Sequence, residues 1–575
     1  MAVQPLKLKR QRPSLSAKSI NSKFVAEVAI PDLPFHLPET FTYAIPEGLL
    51  SDAVLGSRVR VPFRGEVVSG VIIAVSNENQ MPVKSILKLE SDRISPELFN
   101  FAKLVADRYV ARLGDVLRLF PPMRAESKFV GKRSGKGGVV TSKIYTQDWL
   151  EQEKDRFETL QSTLLILPTK RELDRTAKFL KELEIPFQLL TKKRASSASP
   201  EIMLGLRSAI FEQIPNLGEI WIIDEASEHH WERRFPTWNT RDVALLRHQA
   251  TGISLRFISA SPSLELCRLQ ELGFIKLERN FKFKRRSRKI YFNESSYHAV
   301  IREGLKRGPV LVLVAGKDYA KVLACQKCEE PPKCECGGLL VLKSGGALLC
   351  GICGSDTAWR CAFCQSSNFR VLAKGASRIV EEFKKMFPNV PIYMSTSDKT
   401  IEIAPKGAIV VATFGAEPVA TYGAVIILDT KFLQNLPELR ADETLRQRVF
   451  RSLAMVNKEG SLYLDLPTKN RLSQAAALQD SMFGLDQLLQ ERREVKLPPY
   501  WRIFALECEG ISRVIEGIKT EHPKLVISYL SKSSALLRIP VEESVGATES
   551  LKLLQKYRSI SRKPLLHIQI DPYQI

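Results

Sequence analysis

The sequence has 575 residues, of which 44% are hydrophobic and 26% charged, an ordinary globular composition. No apolar run approaches the roughly 18 residues that a membrane-spanning helix needs. The first 24 residues lack the apolar core of a secretory signal. We therefore expect a cytoplasmic protein of about three to five domains, without a membrane partner.

The charge balance is strongly basic. There are 85 Lys and Arg against 63 Asp and Glu, a formal net charge of +22. Such an excess favours a polyanionic partner, because each neutralised phosphate releases a counterion. We expect nucleic acid as the partner, and the alternative is a soluble basic protein or a ribosome-associated one.

In chain order, residues 1–23 are predicted to be a flexible basic arm. Alternating apolar residues between Pro and Gly turns predict a small β-barrel or sandwich at 24–90, followed by a helix at 95–113. The Gly- and Lys-rich text after Pro122 predicts a linker. We place the N-terminal domain at 24–123 and the linker at 124–160.

The rest of the chain predicts two α/β lobes. Short apolar strands alternate with helices from residue 163 to 265 and again from 309 onward, which is typical of parallel sheets. The predicted fold class is therefore multidomain α/β. We place the first lobe at 161–295, the second at 296–324 and 365–497, and an α/β C-terminal domain at 498–575.

Eight of the ten cysteines interrupt the second lobe, in a predicted zinc-binding module at 325–364. Closely spaced thiolates chelate a tetrahedral ion from a tight turn, and eight of them fit two structural Zn²⁺ sites. A disulfide cluster is the alternative, but nothing indicates an oxidising compartment. Cys267 and Cys508 are predicted core thiols. The eight cysteines form four pairs: Cys325 with Cys328, Cys334 with Cys336, Cys350 with Cys353, and Cys361 with Cys364.

An acidic pair, Asp224 and Glu225, follows the predicted strand EIWII. In P-loop nucleotide-dependent motors an Asp at this place holds Mg²⁺. Acids are also favoured at helix N-termini because of the helix dipole, so the pair alone decides little.

Longer stretches resemble the primosomal protein N-prime family, PriA, of replication-restart helicases. GLRSAIFEQIPNLGEIWIIDEASEHH is similar to the family's "GTRSALF…NLG…IDEEH" block, and SASPSLE to its "SATPSLE" segment. FVAEVAIPDLPFHLPETFTYAIPEGL resembles the family's N-terminal domain, which binds DNA 3′ ends. The resemblance covers most of the chain and implies a β-rich DNA-binding domain, two RecA-like helicase lobes with an inserted zinc module, and an α/β C-terminal domain.

The resemblance also implies site residues. The DNA-binding surface of the N-terminal domain would lie around Phe41, Tyr43, Arg58 and Arg60. One zinc would be held by Cys325, Cys328, Cys361 and Cys364, and the other by Cys334, Cys336, Cys350 and Cys353. The single-residue spacer between Cys334 and Cys336 departs from the family's two-residue spacing.

The helicase motifs are degenerate, as in the actinobacterial branch of the family. The phosphate loop G-x4-G-K-[ST] is missing, and the family's "QVAGRAGR" arginine stretch is replaced by RSLAMVNKEG at 451–460. The arginine finger alone is worth about 10³–10⁵ in rate. We therefore interpret Asp224 and Glu225 as a remnant of the family's Mg²⁺-binding motif. We expect the protein to have no catalytic residue and no ATP turnover. The family's acidic residue in "TFDY" is Thr42 here.

We expect a DNA-binding protein of replication restart that recognises forked or branched DNA. Single-strand-binding protein and other primosome components would be its partners, in the nucleoid-associated cytoplasm. One alternative is an active ATP-dependent 3′–5′ helicase. A second is a zinc-ribbon protein that binds RNA or the transcription machinery.

A basic segment at 276–289 is the best local candidate for phosphate contact, and a solvated loop between the lobes is its alternative. It holds eight basic residues and one acid, with Phe281 and Phe283 among them. Replacing Lys284, Arg285 and Arg286 by Ala should lower affinity for all DNA sequences. The slope of log affinity against log salt should fall by roughly 2–3 units, about 0.9 for each phosphate that is no longer neutralised. Anisotropy titrations over a salt series measure it, and an unchanged slope would place the site elsewhere, most plausibly in the N-terminal domain.

Overall fold

The protein comprises a β-rich N-terminal domain, two lobes built on parallel sheets, a cysteine-rich module and a C-terminal domain. In the first and second lobes, every strand pairing of the large sheet is parallel. The computed structural model describes residues 19–77, 79, 81–122, 137–160, 162–190, 202–278, 288–316, 320–328, 330–335, 339–343, 346–350, 353–356, 359–436 and 438–574.

The N-terminal domain is a five-stranded antiparallel sheet followed by two helices. Its inner face is filled by β-branched residues such as Val28, Val59 and Ile72, which suit a half-buried strand. The first helix begins at Ser95, whose Oγ accepts a hydrogen bond from the Leu98 N–H. The elements are β1 (Val25–Ala29), β2 (Thr40–Ala44), β3 (Ser57–Phe63), β4 (Glu66–Ser76), β5 (Lys88–Arg93), α1 (Pro96–Arg108) and α2 (Leu113–Leu117), and the strand order is β2-β1-β4-β3-β5.

The first lobe is a seven-stranded sheet in the order β14-β6-β13-β10-β7-β9-β8. Its central strands are buried along their whole length because helices cover both faces. The elements are β6 (Val140–Ile144), α3 (Trp149–Gln152), α4 (Lys154–Phe157), β7 (Thr163–Ile166), α5 (Lys170–Glu182), β8 (Phe187–Leu189), β9 (Ile202–Gly205), β10 (Glu219–Ile223), β11 (Trp231–Glu232), β12 (Trp238–Asn239), α6 (Thr240–Thr251), β13 (Ser254–Ser259), α7 (Leu264–Glu271) and β14 (Lys276–Glu278).

The second lobe is a six-stranded sheet in the order β15-β24-β23-β16-β22-β21. The cysteine-rich module leaves it after β16 and rejoins it at α9. The elements of the lobe and the inserted module are β15 (Lys289–Tyr291), α8 (Tyr297–Leu305), β16 (Val310–Val314), β17 (Ala320–Cys325), β18 (Leu340–Leu342), β19 (Leu348–Cys350), β20 (Phe369–Lys374), α9 (Ala376–Met386), β21 (Ile392–Ser395), β22 (Ile409–Thr413), β23 (Tyr422–Ile427), α10 (Thr430–Gln434), α11 (Ala441–Met455), β24 (Val456–Leu464), α12 (Arg471–Leu478) and α13 (Leu485–Glu494).

The C-terminal domain is a four-stranded antiparallel sheet in the order β26-β27-β25-β28. Its apolar residues join one continuous core with α1 and one face of the first-lobe sheet. Among the described residues, no helix is both long and apolar enough to cross a bilayer. The elements are β25 (Trp501–Glu507), α14 (Ile511–Glu521), β26 (Val526–Tyr529), β27 (Ser534–Pro540), α15 (Ser544–Ile560) and β28 (His567–Ile570).

The linker predicted at 124–160 is wrong over its second half. The strand β6 pairs with β13 and β14 inside the first sheet, and α3 and α4 follow it. The misassignment has a physical reason. This strand lies next to the edge of the sheet, so it keeps polar residues such as Thr141 and Lys143 that obscure the apolar signal of a buried strand.

Three other predicted boundaries shift. The strand β15 pairs with β24, so it belongs to the second lobe rather than to 161–295. The module's sheet includes β17 and β20, so it extends beyond 325–364. The predicted arm at 1–23 ends by Ile20, which exchanges backbone hydrogen bonds of 2.9 and 3.0 Å with Val83. Residues 1–18 lie outside the described part of the chain.

Candidate functional site

The carboxyl ends of β6, β7 and β10 meet at one edge of the first sheet, where open α/β sheets bind their ligands. Tyr145 directly follows β6 and Asp224 follows β10, while Glu172 lies in the first turn of α5 after β7. Helix α11 of the second lobe faces this edge with Arg448 and Arg451. The two lobes thereby enclose a cavity of about 920 Å³.

Asp224 is bound by groups of the protein itself. The Tyr145 hydroxyl lies 2.9 Å from one carboxylate oxygen and 3.2 Å from the other. The Arg451 guanidinium reaches the same carboxylate from the second lobe at 3.8 Å and lies 3.7 Å from Glu172. Asp224 has a left-handed backbone, with φ of 49°, which costs conformational energy in a non-glycine residue.

Burial and charge act in opposite directions on these carboxyl groups. Burial raises the pKa of Asp224 above its ordinary value, despite the opposing effect of Arg451. Burial also disfavours ionisation of Glu172, but Arg175 and Arg451 outweigh it and hold the pKa of that group below its ordinary value. The Trp149 indole N–H donates to Glu172 at 2.8 Å. Arg451 therefore faces one carboxyl group whose pKa is lowered, Glu172, and one whose pKa is raised, Asp224.

Glu225 faces away from this cluster and is fully buried. Its Oε1 accepts a hydrogen bond of 2.8 Å from the Ser263 N–H. Its Oε2 has no hydrogen-bond partner among the residues that the structure describes. Burial raises the pKa of Glu225 to about 7, although the Ser263 hydrogen bond partly offsets the shift.

The loop after β6 has the place of a phosphate loop, between a parallel strand and a helix. It reads Tyr145-Thr146-Gln147-Asp148 and contains neither Gly nor Lys. A phosphate cradle needs glycines to point successive N–H groups at the anion and a lysine to neutralise it. The phosphate loop that the sequence lacks before β7 is therefore also missing here.

A second set of charges joins the lobes beside the cavity. We call it the interlobe cluster, and it comprises Arg241, Glu265, Arg440 and Glu443. Arg440 of the second lobe pairs with Glu265 of α7 at 2.6 Å, and Arg241 of the first lobe reaches Glu265 at 3.0 Å. Glu443 accepts a hydrogen bond from the Leu264 N–H at 3.3 Å. Arg241, Arg440 and Glu443 are buried, and the Glu265 side chain is 15% exposed.

Sequence reasoning missed Tyr145, Glu172 and Arg451 as partners of Asp224. Tyr145 fell in the predicted linker, and Glu172 looked like an ordinary first-turn acid of α5. Arg451 opened a segment that we described only by the motif it lacks. A usable signal was the spacing on α11, because Arg451 follows Gln447 by four residues and so lies on the same face of the helix. That face contacts the first lobe, where the Gln447 amide donates to the Ser261 carbonyl at 3.3 Å.

The structure brings Cys325, Cys328, Cys361 and Cys364 together at the base of the module. Their four Sγ atoms lie within 4.8 Å of one another, and the closest pairs are 3.4 Å apart. Zinc with Zn–S bonds of about 2.3 Å holds its sulfurs ~3.8 Å apart. Four sulfurs at this spacing suit a tetrahedral ion, and the grouping is the one that the family resemblance implies.

The second group comprises Cys334, Cys350 and Cys353, also with Sγ atoms within 4.8 Å. Cys336, the fourth ligand predicted for this site, lies outside the described residues. The Ser355 hydroxyl lies 3.0 Å from the Cys353 sulfur. Three converging sulfurs can hold a metal ion together with one further donor.

Two of the predicted DNA contacts in the N-terminal domain, Tyr43 and Arg58, are engaged by other groups of the fold. Tyr43 is 3% exposed, and its hydroxyl donates to the Pro62 carbonyl at 3.3 Å. Arg58 pairs with Asp92 at 3.0 Å and donates to the Phe120 carbonyl at 2.6 Å. Tyr43 faces the core, whereas Arg58 lies on the opposite face of its strand from the buried Val59 and is held there by Asp92 and the Phe120 carbonyl.

The other two predicted DNA contacts are more open. Phe41 is half-buried against Phe63, with ring centroids 4.9 Å apart. The Arg60 side chain is 46% exposed beside Glu90. Lys284, Arg285 and Arg286, with Phe281 and Phe283, lie outside the described residues. The ends of that basic segment lie on β14 of the first sheet and β15 of the second, so it connects the lobes.

Comparison with known proteins bears on this architecture. Residues 27–122 match the sequence model of the PriA 3′ DNA-binding domain (3′BD). The chain is related to the PriA replication-restart proteins. The probable replication restart protein PriA of Mycobacterium tuberculosis is 26% identical over 94% of this chain and 99% of its own length. The Rickettsia conorii PriA is 22% identical over 86% and 90%.

A solved structure of S. cerevisiae dbp5 aligns with 70% of this chain and 93% of its own, at 9% identity and a TM-score of 0.29. A score at that level supports no argument. The relation to PriA therefore rests on sequence similarity over most of the chain, with which the domain order of the structure agrees.

The two cysteine groups predict that replacing a cysteine of one group removes only the metal ion of that group. Replacing Cys361 with Ser should remove one metal ion per chain and destabilise the second lobe, because structural zinc contributes folding free energy. Replacing the buried Cys267, which lies on α7, should leave the metal content unchanged. Metal analysis by plasma mass spectrometry measures both. A wild-type chain with one ion or none would contradict the two-site interpretation.

The pKa of Glu225 predicts a pH-dependent stability. The folded pKa of about 7 lies above the unfolded value of about 4.3, so folding binds a proton between these pH values. The ionised group therefore costs stability as the pH rises through this window. Replacing Glu225 with Gln should raise the free energy of unfolding at pH 8 by up to ~3 kcal/mol and leave it nearly unchanged near pH 4. Urea titrations measure both, with the exposed Glu47→Gln change as control, and an equal gain at both pH values would contradict the assignment.

Proposed function

We propose that this protein is a DNA-binding replication-restart protein that recognises forked or branched DNA and does not hydrolyse ATP. It would serve as a scaffold for primosome assembly, with single-strand-binding protein among its partners. The similarity to PriA over 94% of the chain supports the biological role. The match of residues 27–122 to a 3′ DNA-binding domain supports the ligand.

The observation that carries the absence of turnover is the occupation of Asp224. A motor needs this carboxylate free to hold Mg²⁺ through hydrolysis. Here Tyr145 and Arg451 bind it, and Arg451 supplies a positive charge near the place where the metal would sit. The loop after β6 offers no phosphate cradle in compensation. The Mg²⁺-binding carboxylate is thus engaged within the chain, and the phosphate-binding loop is missing.

The working 3′–5′ helicase remains the first alternative. It would require Tyr145 and Arg451 to move away whenever nucleotide binds. A zinc-ribbon protein for RNA or the transcription machinery is the second alternative, and competition between forked DNA and duplex RNA separates it from our proposal. We assign the cysteine groups to two structural Zn²⁺ ions, since four thiolates leave no position for a reacting water.

We further propose that Glu27 takes the part of the acid missing at Thr42. The two residues are paired directly across β1 and β2, and both are exposed. Side chains in such a pair have Cβ atoms about 4.5–5.5 Å apart on one face of the sheet. The Thr40 hydroxyl donates to Glu27 at 3.3 Å and orients it. A carboxylate on this face can accept a hydrogen bond from a terminal 3′-hydroxyl and repel a 3′-phosphate.

ATP hydrolysis should be undetectable with or without forked DNA, in a preparation whose zinc content is measured on the same sample. The physical reason is the missing phosphate cradle together with the occupied Asp224. A coupled phosphate-release assay measures it. Turnover that Asp224→Asn abolishes would mean that the helicase alternative is right.

Glu27 predicts a preference for 3′-hydroxyl ends. The wild-type protein should bind a fork with a 3′-hydroxyl more tightly than one with a 3′-phosphate, and Glu27→Gln should reduce the ratio about tenfold, or ~1.4 kcal/mol. The exposed Glu47→Gln change in the same domain serves as the matched control. Anisotropy competition measures the ratio, and an unaltered ratio in Glu27→Gln would assign end recognition to other residues.

A further inference from the structure

A second, smaller cavity of about 330 Å³ lies in the second lobe, between α10, α11, α12 and α13. It shares no lining residue with the cavity between the lobes, although α11 contributes to both. Asp442 and Arg446 of α11 face the small cavity, whereas Arg448 and Arg451 face the large one. The small cavity is therefore a separate candidate site.

Arg446 is the feature that distinguishes this cavity. It is 4% exposed, and its Nη1 donates to the Ser481 carbonyl at 3.1 Å. Among the described residues, no carboxylate forms an ion pair with it. A buried guanidinium normally has such a partner, because an unpaired buried charge is costly. Burial lowers the pKa of Arg446 to about 10, although Asp442 and Asp480 partly offset the shift.

The other polar groups around the cavity are already matched to one another. Arg471 pairs with Glu491 at 2.5 Å. Asp442 accepts a hydrogen bond from the Gln434 amide at 3.1 Å. Lys469 is exposed at the rim and forms no ion pair with any described residue. Three cations, Arg446, Lys469 and Arg471, thus line the cavity against two carboxylates, Asp442 and Glu491, which leaves one positive charge in excess.

From this geometry we propose that the cavity binds a phosphate group, with Arg446 and Lys469 as its two cationic contacts. Phosphate oxygens can accept hydrogen bonds from both cations, and a guanidinium donates to them in a fixed fork. A terminal phosphate is small enough to enter a cavity of this size and to contact the buried guanidinium of Arg446. The group can come from the 5′ end of a DNA strand or from free inorganic phosphate.

The experiment uses the full-length, zinc-loaded protein at constant ionic strength. One arm titrates inorganic phosphate by calorimetry. The other arm compares a short single strand that bears a 5′-phosphate with the same strand bearing a 5′-hydroxyl. Both arms are run on the wild type, on Arg446→Met and on Lys469→Met. Lys519→Met, an exposed lysine on α14, is the matched control for loss of one positive charge.

We expect Lys469→Met to weaken phosphate binding about tenfold and Arg446→Met by 10-fold or more, on the order of the value of a charged hydrogen bond. Lys519→Met should bind as the wild type does. If the strand with a 5′-phosphate binds more tightly than the strand with a 5′-hydroxyl, the DNA end is the source of the phosphate. If only inorganic phosphate binds, the source is free phosphate. If Arg446→Met fails to fold, the exposed Lys469→Met decides.

The proposal is overturned if the wild type binds neither probe, or if both variants bind them as tightly as the wild type does. Affinity for the 5′-hydroxyl strand and for forked DNA tests the proposed DNA-binding function separately. A failure of the wild type to bind forks would count against that function and would leave the phosphate site standing.

Discussion

Charge compensation between the two lobes is the constraint on which this structure depends. Arg440 pairs with Glu265 across the interface, and Arg451 lies between Asp224 and Glu172. Arg440 and Glu265 are largely removed from water, so deleting one of them would leave a charge uncompensated, at a cost of about 3–5 kcal/mol, whereas the Arg451 side chain is 39% exposed. In a nucleotide-driven motor, phosphates and their metal ion bring charge to such a cleft and change it at every turnover. Here the compensating charges belong to the chain, so the contact between the lobes needs no ligand.

The acidic pair also makes contacts within the protein that involve no nucleotide. Asp224 is held by Tyr145 and Arg451, and Glu225 fixes the start of α7 through the Ser263 N–H. Each of the two side chains therefore has a structural contact that is independent of nucleotide binding. The presence of Asp224 and Glu225 is therefore poor support for ATP hydrolysis. The contacts of Asp224 with Tyr145 and Arg451 argue against hydrolysis.

Much of the fold was predictable from local patterns, and the site was not. The apolar strands β7, β10 and β16 and the paired cysteines carry strong short-range signals, because burial on both faces and chelation from a turn constrain neighbouring residues. Strand β6 was missed because it lies one strand from the edge of its sheet and keeps polar residues. The burial of Tyr43 was not foreseen because residue type does not reveal which face of a strand is buried, and the partners of Arg58 come from parts of the chain 34 and 62 residues away. The pairing of Arg451 with Asp224 joins distant parts of the chain, and no periodicity reports it.

The cysteine module shows how such an architecture tolerates a large insertion. Its first and last strands, β17 and β20, are antiparallel neighbours, so the chain enters and leaves at one place. The Ala376 N–H then donates to the Gly316 carbonyl at 2.9 Å and closes the base of the insertion. The second sheet therefore continues from β16 into α9 almost as if the module were absent. A module fastened in this way can fold around its own metal ions, while the lobes remain joined by their buried charges. The cysteine groups and the interlobe charges thus lie in separate parts of the chain.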